Sequence, residues 1–188
     1  MNKKLMILID GQNIYYGCKG FRSDYKYNIE KLVEVLSNLK ADRELIDVRY
    51  YGSLKPVDKN KPNDEERFRK QQGFYESLKY KYTTFVKRTK MKETKCRICG
   101  KTFLEPKEKG VDVSVASDLL LYGLLREYDV AILVSGDSDF APVIRKLRDR
   151  HPSIRVEIAQ FRHMVGVDLK QACNEFIELD KLAEKFEL

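Results

Sequence analysis

The sequence predicts an α/β fold in which a mostly parallel central sheet lies between two layers of helices, a three-layer sandwich. Short apolar runs alternate along the chain with stretches of helical periodicity, the pattern of strand–helix–strand crossovers. Several of the runs are apolar throughout rather than alternating, as strands covered on both faces are. Two of them end in acidic or hydroxyl residues, which suits strands whose carboxyl ends open onto a crevice. The pattern fits one domain over residues 1–188 with a small basic insertion at residues 89–110.

"LMILID" (Leu5 to Asp10) reads as a central parallel strand. A helix is predicted from Asn28 to Lys40, with Asn28 as N-cap and Ile29, Leu32, Val33, Leu36 and Leu39 at helical spacing. Leu45 to Ser53 is the second strand, followed by a polar loop containing Pro56 and Pro62. "DEERFRKQQGFYESLKYK" starts acidic and ends basic, as the helix dipole favours. Tyr82 to Arg88 is the third strand, and the basic insertion follows it. Val111 to Tyr128 reads as an amphipathic helix, "DVAILVS" as the fourth strand, and "DFAPVIRKLRDR" as a helix with Pro142 in its first turn. "SIRVEIAQ" is the fifth strand, and the remainder, through "DKLAEKFEL", is predicted helical.

Hydrophobic residues make up 43% of the chain, enough for a full core, while 35% are charged and the net charge is +7. A positive balance favours an acidic partner, of which nucleic acid is the commonest. The apolar run after "MNKK" is too short for a signal peptide, and no run approaches membrane-spanning length. A cytoplasmic protein with no membrane partner and reduced thiols is expected.

The chemistry concentrates in acids at element ends. Asp10 closes the first strand, and Asp137 and Asp139 follow the fourth in "SGDSDF". If those strands are neighbours where the strand order reverses, their acids meet there. Asp112 lies in the first turn of its helix, a turn before the core-facing Val115 and Ala116. One acid suffices for a helix cap, and an acid near a helix start gains only about 0.5 kcal/mol from the dipole. Four acids at one sheet edge exceed that need and suit a hard divalent cation, Mg²⁺ or Mn²⁺. Asp118 lies off the core stripe and is a second-tier metal ligand.

"ILIDGQNI", "EKGVDVSVASDLL" and "LVSGDSDFAPVI", in this order and spacing, resemble the NYN domain, in particular its LabA-like (DUF88) branch, within the PIN-like nuclease superfamily. The resemblance implies a Rossmann-like sheet and an acid cluster binding Mg²⁺ or Mn²⁺, with ribonuclease activity in some members. Asp10, Asp112, Asp137 and Asp139 match the family's acidic positions, as catalytic and metal-binding residues. Asn13 matches its Asn and Ser135 the small hydroxyl residue before the acids, and both are placed with the substrate-binding residues.

From Lys87 to Lys101 seven Lys or Arg residues stand against one acid, Glu93. Placed beside the acids, Lys90, Lys92 and Lys95 are expected to contact phosphate. Tyr15, Tyr16, Tyr25 and Tyr27 offer rings for stacking on unpaired bases, or fill a loop core. Cys96 and Cys99 form a C-x-x-C knuckle followed by Gly100, half of a structural zinc site that needs four ligands. Two chains can each donate one knuckle to a shared zinc, as a homodimer, or the thiols stay unliganded.

The expected function is a metal-dependent nuclease hydrolysing single-stranded RNA. The alternative is a non-catalytic RNA-binding or adaptor module using the same groove. A small-molecule phosphatase ranks below both, because "DGQN" lacks a D-x-D nucleophile motif. No P-loop or nucleophile elbow is present.

Overall fold

The computed structural model describes residues 2–58, 62–107 and 110–188, apart from the side chains of residues 90 and 104–107. In chain order the strands are β1 (Lys3–Asp10), β2 (Arg43–Leu54), β3 (Thr83–Arg88), β4 (Lys90–Lys95), β5 (Thr102–Lys107), β6 (Val130–Val134), β7 (Arg155–Gln160) and β8 (Glu175–Glu178). The helices are α1 (Gly11–Phe21), α2 (Ile29–Ser37), α3 (Asp64–Lys79), α4 (Val111–Leu124), α5 (Ala141–Arg150), α6 (Val167–Ala172) and α7 (Ala183–Phe186). The main sheet runs β3-β2-β1-β6-β7-β8, and every neighbouring pair in it is parallel.

The strand order reverses between β1 and β6, which opens a crevice at their carboxyl ends. Ile9 lies opposite Val134 in the register, so Asp10 and Ser135 follow side by side. Alternate residues of the strands serve two cores. Leu5, Ile7, Ile9, Ile132 and Val134 pack against Ile14 of α1, Leu32 and Leu36 of α2 and Leu78 of α3. Met6, Leu8, Leu133, Val156 and Ile158 pack against Val115 and Leu119 of α4, Ile144 and Leu147 of α5 and Leu169 of α6.

Three elements depart from expectation. No helix is predicted directly after β1, yet α1 forms there although Gly11, Gly17 and Gly20 each cost it about 1 kcal/mol relative to Ala. Glycine stands there because those positions are pressed against neighbours, while the Asp10 cap and the buried Ile14 and Cys18 hold the helix. A Cβ on Gly11 would fall 2.1 Å from the Tyr50 hydroxyl, and one on Gly17 would fall 2.5 Å from Gln160 Oε1. The C-terminal stretch is not simply helical either. Asn174 exchanges two hydrogen bonds of 2.8 Å with the Val156 backbone, and this clamp starts β8 on the sheet edge. The predicted helix through Tyr128 stops at Leu124, where the Tyr128 hydroxyl turns back to donate to the Leu119 carbonyl.

The basic insertion is an antiparallel hairpin of β4 and β5, a sheet of its own. Its root is fastened at both ends. Thr89 donates its N–H and its hydroxyl to the Leu54 carbonyl, at 3.1 and 2.9 Å. Lys87 Nζ donates to the Gly110 carbonyl at 3.0 Å.

A second charged cluster lies towards the amino ends of the strands. Arg43 and Glu157 are buried there and joined by hydrogen bonds of 2.8 and 2.7 Å. Lys40 and Arg155 each stand 3.5 Å from the same carboxylate.

Candidate functional site

The crevice acids are fixed by the backbone they cap. Asp10 Oδ1 accepts the Asn13 N–H at 3.0 Å and so starts α1. Its Oδ2 accepts the Ser135 hydroxyl at 3.2 Å. Ser135 is fully buried, and its oxygen accepts the Asp137 N–H at 3.3 Å. Asp137 in turn caps the short turn Ser138–Phe140, its Oδ1 accepting the Asp139 N–H at 2.9 Å. Capping occupies one oxygen of each acid and sets the direction of the carboxylate.

Asp112 arrives from the other side of the crevice, in the first turn of α4. That helix begins after Gly110, whose φ of 85° is left-handed and favours glycine. Asp10, Asp112 and Asp137 line one cavity of about 260 Å³ together with Gln12, Asn13 and Tyr16. None of the residues lining it is a Lys, Arg or His among the described residues.

Asp139 is exposed and does not line that cavity. Asp118 is engaged elsewhere: its Oδ2 accepts from Arg49 at 3.0 Å and from the Tyr51 hydroxyl at 2.7 Å. That contact fastens α4 to β2, and Asp118 does not line the cavity. Among the described residues no group of three or more His, Cys, Asp or Glu side chains is placed to hold a metal ion as the side chains stand. The donors are nevertheless hard oxygens. Mg²⁺ commonly takes one or two carboxylates and completes its shell with water and phosphate. The acid set fits that mode and not an all-protein cage.

Asn13 does more than line the cavity. Its Oδ1 accepts the Gly136 N–H at 2.8 Å and Gln160 Nε2 at 2.6 Å. Gln160 is fully buried and its Oε1 accepts the Phe161 N–H at 2.8 Å. One amide thus ties α1 to the loops after β6 and β7. The sequence gives no local signal for Gln160, since it is merely the last residue of a strand. Gln12, missed too, donates to Ser53 Oγ at 2.7 Å.

Gln12 and Tyr16 also border a second, larger groove of about 740 Å³. Tyr15, Tyr16, Tyr27, Tyr50, Phe74 and Tyr75 line it, with Lys55, Arg67 and Met91. Tyr15 and Tyr16 are about half exposed, at 49% and 52%. Burial raises the phenols of Tyr27 and Tyr50, so both stay protonated. Tyr25 is not part of this groove: it is buried and donates to the Ala183 carbonyl at 2.6 Å.

Met91 brings the hairpin to the groove. Side chains alternate along a strand, so Lys95 shares the face of Met91 and Lys92 takes the opposite one. Both lysines are exposed, and the Lys90 side chain lies outside the described residues. Cys96 and Cys99 sit at the hairpin tip, whereas Cys18 and Cys173 are buried thiols of the body. Burial pushes the Cys18 thiol up to about 12, against a smaller lowering by Lys19.

The NYN domain model matches residues 4–180. The chain belongs to the NYN domain family. It is 26% identical over 181 residues to the low amplitude and bright protein LabA of Synechococcus elongatus, covering 95% of this chain and 85% of that one. This similarity is consistent with the LabA-like branch of the NYN family. A crystal structure of a protein of unknown function from Vibrio parahaemolyticus superposes with a TM-score of 0.66 at 21% identity. It covers 100% of this chain and 97% of its own, and shows the same fold. NYN domains fall in the PIN-like nuclease superfamily, which supports a nuclease or RNA-related role and nucleic-acid interaction. Among the described residues no helix is long and apolar enough to cross a membrane.

Proposed function

We propose that this NYN protein is a metal-dependent ribonuclease that hydrolyses phosphodiesters of single-stranded RNA in the crevice between β1 and β6. The observation that carries the reading is the meeting of Asp10, Asp112 and Asp137, from three separate elements, at one cavity that continues into an aromatic groove.

Asp10 and Asp137, with Asp112 across the cavity, would hold Mg²⁺ or Mn²⁺. Such an ion supplies Lewis-acid contact to a phosphate oxygen and lowers the pKa of a bound water. The chain's own residues set the stage. Ser135 and the Asn13 N–H orient the Asp10 carboxylate, and the Asp139 N–H orients Asp137. Tyr15 and Tyr16 offer rings on which unpaired bases stack, which a duplex does not present. Lys95, on the groove side of the hairpin, offsets the charge of the phosphate chain.

Incubating the protein with a mixed single-stranded RNA pool in Mn²⁺ or in EDTA tests this. Cleavage is expected in Mn²⁺ alone, and Asp137→Asn should reduce it by about a hundredfold or more. The lack of a ready three-residue metal cage among the described residues favours a second reading, a binding module that does not cut. RNA bound but intact in Mn²⁺, equally so with Asp137→Asn, would select that reading.

A further inference from the structure

The hairpin of β4 and β5 is two strands with no third strand beside them among the described residues. An isolated two-stranded ribbon is marginal in water, so its order calls for a staple. Its tip carries the features of one. The Cys96 N–H donates to the Lys101 carbonyl at 2.8 Å and the Gly100 N–H to the Cys96 carbonyl at 3.0 Å, closing a tight turn. Gly100 takes a left-handed φ of 69°, which lets the chain reverse directly after Cys99. The backbone N–H groups of Cys99 and Ile98 face the Cys96 sulfur. Two thiols and inward-facing amides on one turn make half of a tetrahedral thiolate site.

The other half is not supplied by the described residues of the chain, where no third His, Cys, Asp or Glu joins the pair. Cys18 and Cys173 are buried in the body. His163 packs its ring near Phe161, and His151 lies 3.3 Å from Arg126. Ile98, between the two cysteines, is 98% exposed, an apolar side chain held out at the end of the ribbon.

We propose that the Cys96–Cys99 turns of two copies of this chain share one zinc ion, so that zinc joins the protein into a tip-to-tip pair. Four thiolates around Zn²⁺ carry a net charge of −2. Lys95, Arg97 and Lys101 of each tip surround that centre and more than offset it, and its negative charge reduces the repulsion two basic tips would otherwise feel. The two Ile98 side chains come together beside the metal and leave water. Binding releases the thiol protons to solvent, and tetrathiolate coordination suits zinc rather than the hard cation of the acid crevice. This inference is independent of the ribonuclease reading.

The test is metal content and mass of the full chain, purified reduced and loaded with Zn²⁺. One zinc per two chains is expected, with a mass twice 22.1 kDa by light scattering, returning to one chain on chelation. Cobalt in place of zinc should show the absorption of a tetrahedral tetrathiolate centre. Cys96→Ser with Cys99→Ser should abolish zinc uptake and pairing while the thermal melt of the main sheet is unchanged. Ile98→Asp, which keeps both thiols, should weaken pairing. One zinc per single chain, no zinc uptake, or a pair that survives both chelation and the cysteine substitutions would each overturn the proposal.

Discussion

The two ends of the main sheet treat carboxylates in opposite ways. Towards the amino ends, Glu157 is fully buried but gripped by Arg43 with two hydrogen bonds, with Lys40 and Arg155 close by. At the carboxyl ends, Asp10, Asp112 and Asp137 line a cavity to which, among the described residues, no cationic side chain contributes. The same chain brings its own cations to one acid, while at the other end a backbone amide and a hydroxyl orient Asp10 and a backbone amide orients Asp137. The difference separates a charge paired inside the body from charges that line a cavity, as the proposed metal-binding role asks of them. A buried carboxylate needs partners built in.

Stability measurements offer the sharpest way to break this contrast. Glu157→Ala leaves the Arg43 guanidinium buried without its partner and should cost about 3–5 kcal/mol in chemical unfolding. Asp137→Asn keeps an oxygen for the same cap, and Asn caps as well as Asp, so its stability should be unchanged. Equal losses in the two variants would erase the distinction. Acid unfolding refines it. Burial alone would raise the Glu157 pKa, but the Arg43 hydrogen bonds and the charges of Arg43, Lys40 and Arg155 outweigh it and hold the group below its usual range. A depressed carboxylate adds stability above its unfolded pKa and loses it as pH falls through the folded one. Glu157→Gln should therefore flatten the acid limb of the stability profile, read by urea midpoints from neutral pH downward.

A smaller loss is expected at the joint between the two regimes. Asn13→Ala leaves the Gly136 N–H and the buried Gln160 amide without their acceptor, at a cost of about 1–3 kcal/mol. RNA cleavage should fall further than stability does, because Gly136 precedes Asp137 directly. A melt shift with cleavage intact would make Asn13 a packing residue only. The smallest effect concerns the hairpin. Lys95→Glu should lower the log–log salt slope of RNA binding by roughly 0.7 for each phosphate that is no longer neutralised, and Lys92→Glu, on the opposite face, should leave it alone. Equal slopes for both variants would detach the ribbon from the RNA path.

Strands with continuous apolar runs were legible because burial on both faces demands them, as in β1 and β6. Their adjacency stood only as a condition for the acids to meet, and the observed order supplies it at the reversal between β1 and β6. What escaped depends on partners distant in sequence. The glycines of α1 answer to side chains distant in sequence, Tyr50 against Gly11, Gln160 against Gly17 and His163 against Gly20. β8 is four residues long and follows from the Asn174 clamp on Val156 rather than from any pattern of its own. The hairpin hid because lysines alternate with no apolar face. At the crevice, residue type and position at element ends pointed to Asp10, Asp112 and Asp137. Asp118, which the helical period places off the core stripe, meets Arg49 and Tyr51 on β2, partners that no local pattern reveals.

The hairpin's fastened root makes it a lever. The first strand of the hairpin leaves the body at the Leu54 carbonyl, and six paired residues extend from there about 20 Å to the tip. The ladder resists bending along the arm, while among the described residues the Thr89 and Lys87 bonds hold the root. A rotation of about 10° at the root carries the tip about 3 Å over that length and moves Met91, near the fulcrum, hardly at all. Reach at the tip and constancy beside the groove are thus set by different hydrogen bonds, and trimming the arm would shorten its throw without disturbing its bearing.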